Sequence, residues 1–333
     1  MNIIVPMAGA GKRMRPHTLT TPKPLISVGG KPIVERLVED IATMCNEKID
    51  EIAFVIGDFG EAAEKQLLAV AERLGAKGKI FYQDMPLGTA HAIMCAEESL
   101  KGNVIVAFAD TLFYADFKIN AEDEGVIYVQ KIEDPTAFGV VKINAENVIT
   151  DFVEKPKDFV SDLAIIGIYY FKDGDYLRHE LKYLLDNDIK EKGEYQLTNA
   201  LENMKRKGTK FKPGQVKEWL DCGNKDATVY TNQRVLALNE KKLSIPTSAT
   251  IINSTVIQPC FIGENVVIEN SVIGPFVSVG EKSSIKKSVI ENSIIQTSST
   301  IENSCIANSM IGNFVTLKNK TQDLSVGDYT TSM

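Results

Sequence analysis

The chain has 333 residues, of which 44% are hydrophobic, and a formal net charge of −7 at pH 7. This length and apolar content predict two domains, and the net negative charge argues against nucleic acid as a partner, because binding a phosphate backbone needs a broad basic surface. Five dispersed cysteines, the lack of a run as long as a membrane span and the lack of a basic-then-apolar leader lead us to expect a reduced, cytoplasmic protein with no membrane partner.

The segment from Met1 to Pro32 combines an apolar run with a basic, glycine-containing loop. Residues 2–6 are typical of a buried strand, and residues 7–16 follow as a loop. Gly9 and Gly11 let backbone N–H groups approach a ligand, as they do in phosphate-binding loops. No acidic residue precedes Glu35, whereas five cations lie between residues 12 and 31: Lys12, Arg13, Arg15, Lys23 and Lys31. The segment therefore predicts a polyanion site, although neither the dinucleotide fingerprint nor the Walker spacing is present.

Strand and helix patterns alternate after this loop. The strands are expected at residues 51–57, 79–83 and 103–109, and the helices at 32–44, 61–74 and 88–100. The alternation predicts a doubly wound, largely parallel α/β sheet. Strands at 126–132, 138–143, 148–154 and 163–171 would add an antiparallel part, and helices are expected at 174–185, 196–207 and 225–238. We expect this mixed-sheet domain to comprise residues 1–242.

Three polar stretches follow strands of this predicted sheet. They are the loop after the first strand, Gln83 after the third and Asp110 after the fourth. Ligands of doubly wound sheets bind beyond the carboxyl ends of the strands. The same edge of the sheet is therefore expected to hold the polyanion site.

Residues 243–333 follow a different pattern. Aliphatic residues recur at steps of five or six, and Glu-Asn-Ser occurs at Glu269, Glu291 and Glu302. Such short repeats predict a β-solenoid of roughly four coils, with the aliphatic side chains inside and Asn or Gly at the corners. Residues 244–333 contain no histidine, so we expect a structural, regulatory or oligomerising role for the solenoid, and a homo-oligomer. Residues 319–333 would fray or cap the last coil.

Two elements near the N-terminus carry a family resemblance. Gly11-Lys12-Arg13-Met14-Arg15-Pro16 followed by Lys23-Pro24-Leu25 resembles the signature of the sugar-phosphate nucleotidylyltransferases. The resemblance extends over nearly the whole chain and includes the longer glucose-1-phosphate thymidylyltransferases that carry a solenoid tail. It implies a Rossmann-like nucleotidyltransferase fold followed by a left-handed parallel β-helix.

The resemblance also implies roles for particular residues. Arg13 and Lys23 would be catalytic, and Asp110 and Asp221 would be ligands of a Mg²⁺ cofactor, a hard ion that takes one or two carboxylates together with phosphate oxygens. The implied nucleotide-binding residues are Ala8, Gly9, Ala10, Gly11, Lys12, Gln83, Gly88 and Thr89. The implied sugar-phosphate-binding residues are Gly139, Glu154, Lys155, Tyr169 and Lys192, although core packing also suits Tyr169.

The resemblance implies a reaction in which a sugar 1-phosphate, such as glucose 1-phosphate, and a nucleoside triphosphate give NDP-sugar and pyrophosphate. The Gln83 amide carries a donor and an acceptor, which match the imide edge of thymine or uracil and favour a pyrimidine nucleotide. The resemblance to the thymidylyltransferases implies dTTP. Lys192 stands where many relatives have arginine, and lysine lacks the bidentate fork. Three alternatives remain open: a relative using UTP or GTP, a non-catalytic sensor of NDP-sugars, and an enzyme with a second, acyltransferase activity.

Overall fold

The structure, a computed structural model, describes residues 1–116 and 118–321. The chain forms two compact units, one made of Met1–Ile26 and Lys31–Asn224, the other of Ser27–Gly30 and the chain from Lys225 onward. In this division the helix beginning at Lys225 groups with the second unit, and the domain boundary at residue 242 stays a prediction. Most of the tail that was expected to fray or cap the last coil, namely residues 322–333, lies outside the described residues. Within the described ranges, no helix combines the length and apolar character needed to cross a membrane.

The segment between Asn2 and Leu238 contains both strands and helices. The strands are β1 (Asn2–Pro6), β2 (Ser27–Val28), β3 (Lys31–Pro32), β4 (Glu51–Ile56), β5 (Lys77–Tyr82), β6 (Val104–Ala107), β7 (Thr111–Tyr114), β8 (Gly125–Lys131), β9 (Gly139–Ile143), β10 (Ile149–Glu154), β11 (Leu163–Phe171), β12 (Phe211–Gln215) and β13 (Glu218–Asp221). The helices are α1 (Ile33–Met44), α2 (Glu61–Arg73), α3 (Thr89–Met94), α4 (Gly174–Asp186), α5 (Leu197–Arg206) and α6 (Lys225–Leu238).

A nine-stranded mixed sheet forms the centre of the first unit. Strands β6, β1, β4 and β5 lie side by side and run parallel. Strand β11 joins them antiparallel to β6 and leads on to β9 and β10, while β8 pairs with β11 and β12. The predicted doubly wound mixed sheet is therefore confirmed.

Helix α1 shows how the apolar spacing produces this packing. Ile33, Leu37, Val38, Ile41 and Met44 fall on one face of the helix, with each residue three or four positions from another of the set, and are each at most 2% exposed. An apolar stripe of this kind faces the core, while the polar residues between its members face solvent. The predicted helical face is confirmed.

Two predicted elements of the first unit are shorter than expected. The helix expected at residues 88–100 ends at Met94, and Glu97–Ser99 form a separate 3₁₀ turn. The strand expected at 103–109 ends at Ala107, and the chain then enters β7, which pairs antiparallel with β13. This two-stranded sheet was not predicted from the sequence.

The second unit contains a parallel β-helix. Its strands are β14 (Thr250–Ile252), β15 (Thr255–Val256), β16 (Phe261–Ile262), β17 (Val267–Glu269), β18 (Val272–Ile273), β19 (Ser278–Val279), β20 (Ser284–Lys286), β21 (Val289–Glu291), β22 (Ile294–Ile295), β23 (Thr300–Glu302), β24 (Cys305–Ala307), β25 (Met310–Ile311) and β26 (Thr316–Lys318). Every third strand joins the same sheet, which gives three parallel sheets. The β-solenoid prediction is confirmed.

Strand register sets the length of each coil. Equivalent positions in successive coils are occupied by Thr250, Val267, Ser284, Thr300 and Thr316, so the later coils are one residue shorter than the earlier ones. The aliphatic residue that follows each of the middle three, namely Ile268, Ile285 and Ile301, is fully buried. These side chains stack along the interior and form the core of the β-helix.

The corners of the β-helix use more residue types than expected. Asn occupies six of the left-handed corners (Asn253, Asn265, Asn270, Asn292, Asn303 and Asn308), but lysine, serine and phenylalanine occupy others: Lys282, Lys287, Ser298, Phe276 and Phe314. A serine often follows the corner and bonds to the next coil. Ser271 N–H donates to Ser254 Oγ (3.0 Å), Ser288 N–H to Ser271 Oγ (3.1 Å) and Ser304 N–H to Ser288 Oγ (3.1 Å). This serine ladder provides partners for the buried corner N–H groups.

Candidate active site

A cavity of about 440 Å³ lies at the carboxyl ends of β1 and β6. It is lined by Pro6, Met7, Ala8, Gly9, Gly11, Lys12, Arg13, Lys23, Pro24, Gln83, Pro86, Gly88, Thr89, Ala92, Phe108, Ala109, Asp110, Glu194 and Gly223. The lining includes every predicted catalytic and nucleotide-binding residue except Ala10, which is exposed outside it. The three polar stretches that follow predicted strands do meet at one edge of the sheet.

The loop after β1 is folded into short turns around Gly11. It contains three 3₁₀ turns, Lys12–Met14, His17–Leu19 and Lys23–Leu25, where the sequence predicted irregular structure. Gly11 has φ of 57°, and a Cβ there would lie 2.9 Å from Thr18 Cγ2 and 3.1 Å from Lys23 Cβ. The Thr18 hydroxyl donates to Gly11 O (2.9 Å). Glycine at this position therefore allows the turn that brings Lys23 to the cavity.

Not all five cations of the N-terminal stretch belong to the site. Lys12, Arg13 and Lys23 line the cavity. Lys31 instead pairs with Glu39, with Nζ 2.7 Å from Oε1. Its charge is balanced on the surface by Glu39, and Lys31 is not among the residues that line the cavity.

Lys23 and Asp110 form an ion pair at the cavity wall. Lys23 Nζ lies 3.1 Å from Asp110 Oδ2, and the lysine side chain is 10% exposed whereas the aspartate side chain is 45% exposed. A largely buried ammonium group needs a charged partner. Asp110 holds the Lys23 ammonium group in place, and the exposed part of its own carboxylate remains accessible from the cavity.

Strand pairing brings the second predicted metal ligand beside the first. In the β7–β13 pair, Asp221 lies opposite Thr111, and Cys222 N–H donates to Asp110 O (2.9 Å). Burial and the nearby charge of Asp110 raise the pKa of Asp221, while Lys23, the Gly223 N–H group and Arg13 act in the opposite direction. The two carboxylates are therefore close enough to repel each other.

The donor set at this edge matches a particular type of ion. The described residues contain no cluster of three or more His, Cys, Asp or Glu side chains arranged to hold a metal. Asp110 and Asp221 supply two carboxylates, and their mutual repulsion would be relieved by a cation. Mg²⁺ commonly uses one or two carboxylates and completes its shell with water and substrate phosphates. The residues present fit such an ion.

Gly223 lies where two charged groups converge. A Cβ at Gly223 would lie 2.9 Å from both carboxylate oxygens of Asp221 and 3.2 Å from Arg13 Nη2. Its N–H group donates to Asp221 Oδ1 (2.9 Å). The absence of a side chain here allows the Asp221 carboxylate and the Arg13 guanidinium to approach the same point.

The Gln83 amide is held differently from the arrangement expected. Its Nε2 group lies 3.2 Å from Gly88 O and 3.0 Å from His91 Nδ1. The expected donor is therefore engaged inside the protein, because a carbonyl oxygen can only accept. The role of Gln83 in binding a base stays a prediction, and in this structure its Oε1 acceptor is the polar atom not engaged by Gly88 or His91.

Gly88 and Thr89 lie where two loops are bonded together. Tyr195 N–H donates to Leu87 O (2.8 Å), and Ala90 N–H donates to Tyr195 O (2.9 Å). The Thr89 hydroxyl oxygen accepts from Leu197 N–H (2.9 Å). The cavity wall after β5 is thus attached to the start of α5.

Four of the five predicted sugar-phosphate residues form a second cluster, outside the lining of the 440 Å³ cavity: Gly139, Glu154, Lys155 and Lys192. Lys155 Nζ lies 3.5 Å from Glu154 Oε1, and a Cβ at Gly139 would lie 3.1 Å from Glu154 Oε2. Lys192 Nζ donates to the backbone oxygens of Glu154 (3.3 Å) and Lys155 (3.4 Å). Lys192 therefore fastens the loop that carries the Glu154–Lys155 pair.

Tyr169 is in the hydrophobic core instead of on a pocket wall. It is 6% exposed and its ring contacts Phe108 edge-on, with centroids 6.2 Å apart. Burial, with the nearby charges of Glu154 and Asp110, raises the pKa of its hydroxyl group. This position matches the core-packing role that the sequence also suggested.

Three residues that the sequence did not single out as site residues have notable positions. His91 bonds the Gln83 amide, and Glu194 lines the cavity. Thr198 is buried near Gly139, and its Oγ1 has no hydrogen-bond partner in the part of the chain that the structure describes. Glu194 follows the Lys192-Gly193 pair that the resemblance emphasised, but no sequence signal marks His91 or Thr198.

Comparison with known proteins agrees with this fold. The sequence profile of the family described as nucleotidyl transferase matches residues 2–237. A glucose-1-phosphate thymidylyltransferase of Streptomyces antibioticus is 28% identical over 309 residues, covering 86% of this chain and 84% of that protein. The bifunctional protein GlmU of Methanococcus vannielii is 28% identical over 266 residues, covering 78% of this chain and 61% of that protein. The chain thus spans about three fifths of the length of that archaeal relative.

Solved structures show the same architecture. A UDP-glucose pyrophosphorylase complexed with UDP-glucose superposes with a TM-score of 0.58 at 21% identity, covering 71% of this chain and 98% of that one. The fold and the cavity define a nucleotide-handling α/β enzyme. The chain belongs to the nucleotidyl transferase family, among the sugar-phosphate nucleotidyltransferases.

Proposed function

We propose that this protein transfers a thymidylyl group from dTTP to glucose 1-phosphate, giving dTDP-glucose and pyrophosphate. The observation that carries the proposal is the presence of Arg13, Lys23 and Asp110 on the wall of one cavity, with the Asp221 carboxylate near enough to feel the charge of all three. The similarity to a protein named glucose-1-phosphate thymidylyltransferase over 86% of the chain supports the choice of substrates.

The reaction is a displacement at phosphorus. A phosphate oxygen of the sugar phosphate forms a bond to the α-phosphorus, and the bond from that phosphorus to the oxygen bridging toward the β-phosphate breaks. The electron pair leaves with pyrophosphate. Because the second pKa of a phosphate monoester is about 6, the nucleophile is already largely a dianion at neutral pH and no general base is required. The protein must bring two anions together and neutralise their charge.

The cations of the cavity fit this requirement. The backbone of the loop around Gly9 and Gly11 approaches the triphosphate, and Arg13 stabilises the charge that builds on the departing pyrophosphate. Lys23, held by Asp110 at 3.1 Å, neutralises charge between the α-phosphate and the incoming sugar phosphate. Asp110 and Asp221 would hold Mg²⁺, which supplies further neutralisation of the phosphates when bound.

The second cluster fits a phosphorylated sugar. Glu154 can accept hydrogen bonds from sugar hydroxyls, and Lys155 carries an exposed ammonium group suited to a phosphate. Gly139 leaves space beside Glu154, and Thr198 presents a buried hydroxyl group that lacks a partner among the described residues. Since buried polar groups are normally hydrogen-bonded, Thr198 is a further candidate for contacting a sugar hydroxyl.

A substrate matrix tests the proposal. Pyrophosphate release would be measured with dTTP, UTP, CTP and GTP, each against the 1-phosphates of glucose, galactose, mannose and glucosamine, with magnesium present. We expect the highest kcat/KM for dTTP with glucose 1-phosphate. A higher value for UTP or GTP would replace the proposed nucleotide, and nucleotide binding without any pyrophosphate release would favour a non-catalytic sensor.

Two variants test the proposed catalytic residues. Arg13→Ala and Lys23→Ala should each lower kcat by ~10²–10³, the usual effect of losing one charge-stabilising donor in a site shielded from water. Lys31→Ala is the matched control, because Lys31 is a cation of the same stretch that pairs with Glu39 away from the cavity. Near-native turnover in either of the first two variants would contradict the assignment.

A further inference from the structure

The hydrogen bonds around Gln83 restrict what this side chain can offer to a ligand. Gly88 O, which accepts from Ala92 N–H (3.0 Å) in the first turn of α3, also faces Gln83 Nε2 at 3.2 Å. The second neighbour of that nitrogen is His91 Nδ1, at 3.0 Å. An amide nitrogen has two hydrogens and no lone pair to share, so both neighbours act as acceptors.

This arrangement defines the state of His91. Its Nδ1 must carry a lone pair, so the ring hydrogen is on Nε2. Burial lowers the pKa of His91, which favours this neutral form. The thiol of Cys95, with Sγ 3.9 Å from the same Nδ1 atom, is the other group near it.

The remaining polar atom of Gln83 is its Oε1. Gln83 lines the cavity, and the structure gives its Oε1 no partner among the residues it describes. If the amide were flipped so that its oxygen and nitrogen exchanged places, Oε1 would face Gly88 O, which is an acceptor whatever the tautomer of His91. Gly88 O therefore sets which way the amide points, and His91 Nδ1 accepts the second amide hydrogen and holds the acceptor Oε1 available to a nucleotide.

We propose that His91 is a positioning residue that fixes the Gln83 amide, so that the site selects pyrimidines with an N–H group at ring position 3 over cytosine. Uracil and thymine donate from N3, whereas cytosine N3 is an acceptor and would oppose Gln83 Oε1. This inference rests on the proposed function and deepens it. It assigns the choice of base to a residue that reaches the nucleotide only through Gln83.

Two nearly isosteric substitutions separate this role from simple packing. Asparagine at position 91 can place its Oδ1 near the position of the imidazole Nδ1 and accept from Gln83, whereas leucine of similar size cannot. dUTP and dCTP would be compared, because these nucleotides differ only at positions 3 and 4 of the base. The ratio of kcat/KM for dUTP to that for dCTP would be measured for the full-length wild-type, His91→Asn and His91→Leu proteins.

We expect His91→Asn to retain the wild-type ratio and His91→Leu to lower it by about 3- to 10-fold, the effect of one hydrogen bond. The change should be in KM more than in kcat, since the base is remote from the reacting phosphorus and its contacts are equal in the ground and transition states. A ratio that His91→Leu leaves at the wild-type value overturns the inference, as does an equal fall in both variants.

Direct binding measurements distinguish a failure of the inference about His91 from a failure of the proposed function. Dissociation constants for dUTP and dCTP would be measured by calorimetry on the same three proteins. If no nucleotide is turned over, the proposed function is wrong, and the binding ratio still reports the role of His91. If turnover is normal and the binding ratio is the same in all three proteins, the proposed function stands and the inference about His91 is wrong.

Discussion

Replacing Gly88 by alanine should destabilise the protein and weaken nucleotide binding together. Gly88 has φ of 113° and ψ of 176°, a backbone conformation that is adopted almost only by glycine. A Cβ at this position would lie 2.5 Å from Tyr195 O and 2.7 Å from Tyr195 N. Both atoms belong to the backbone, so they cannot rotate away as the end of a flexible side chain could.

Two contributions determine how far Gly88→Ala lowers the free energy of unfolding. Holding a non-glycine residue in this conformation costs about 1–3 kcal/mol. Moving Tyr195 away also weakens the bonds from its N–H group to Leu87 O and from Ala90 N–H to its carbonyl oxygen. At about 0.5–1.5 kcal/mol each, these bonds add about 1–3 kcal/mol. We therefore expect Gly88→Ala to lower the free energy of unfolding by about 2–6 kcal/mol.

Gly193→Ala provides the control for backbone strain. Gly193 also has positive φ (86°), but no atom lies within 4 Å of the position that a Cβ would take there, so the expected loss is only about 1–3 kcal/mol. Unfolding in urea would be followed through the fluorescence of Trp219, the one tryptophan of the sequence, and nucleotide affinity by calorimetry. If Gly88→Ala is no less stable than Gly193→Ala and binds nucleotide as tightly as the wild type, the argument is refuted.

Two other substitutions test electrostatic and hydrogen-bond arguments. Asp221→Asn should lower turnover by about 10²-fold or more, the scale of one lost electrostatic contact, yet raise the unfolding midpoint at neutral pH. The raised pKa of Asp221 means that its ionised form is disfavoured in the folded protein. The gain in stability should therefore be largest above the raised pKa and should shrink as the pH falls through it toward the ordinary carboxyl value, where Asp221 becomes neutral. Thermal unfolding from about pH 3 to 8 checks the gain at neutral pH and its loss in acid. Ser288→Ala removes the acceptor of Ser304 N–H and should cost about 1–3 kcal/mol. Ser309 is the last serine of the equivalent series that begins at Ser293, so Ser309→Ala should cost less in the same urea titration.

Much of the fold is predictable because it depends on local patterns. The burial of α1 follows from apolar residues three and four apart, and the β-helix follows from aliphatic residues five or six apart. The β7–β13 pair is different, since Thr111 and its partner Asp221 are far apart along the chain and no local pattern connects them. Neither strand has a periodic signal long enough to predict it. The early end of α3 likewise accompanies a tertiary contact, in which the Ser99 hydroxyl bonds to Glu51 on β4.

The candidate site likewise has some features that the sequence predicts and others that it does not. The loop glycines and Lys23 could be predicted from residue type and spacing, because phosphate binding requires small residues and cations in one segment. The direction of the Gln83 amide could not, since it depends on the lone pair of His91 and on the carbonyl of Gly88. Lys192 was expected to contact phosphate, but it donates to the two backbone oxygens before Pro156. Which acceptor a side chain meets is decided by the folded geometry, and residue type alone does not specify it.

The coil spacing of the β-helix limits how this part of the chain can change in length. Each coil pairs with the coil before and the coil after it through equivalent positions, as Ser284 lies opposite Val267 on one side and Thr300 on the other. Losing or duplicating one entire turn would leave every remaining strand opposite a suitable neighbour. An insertion of a few residues within a strand would instead point isoleucines toward water and misalign the serines. Evolution can therefore lengthen or shorten this domain most easily in whole-turn units, with small insertions confined to the corners.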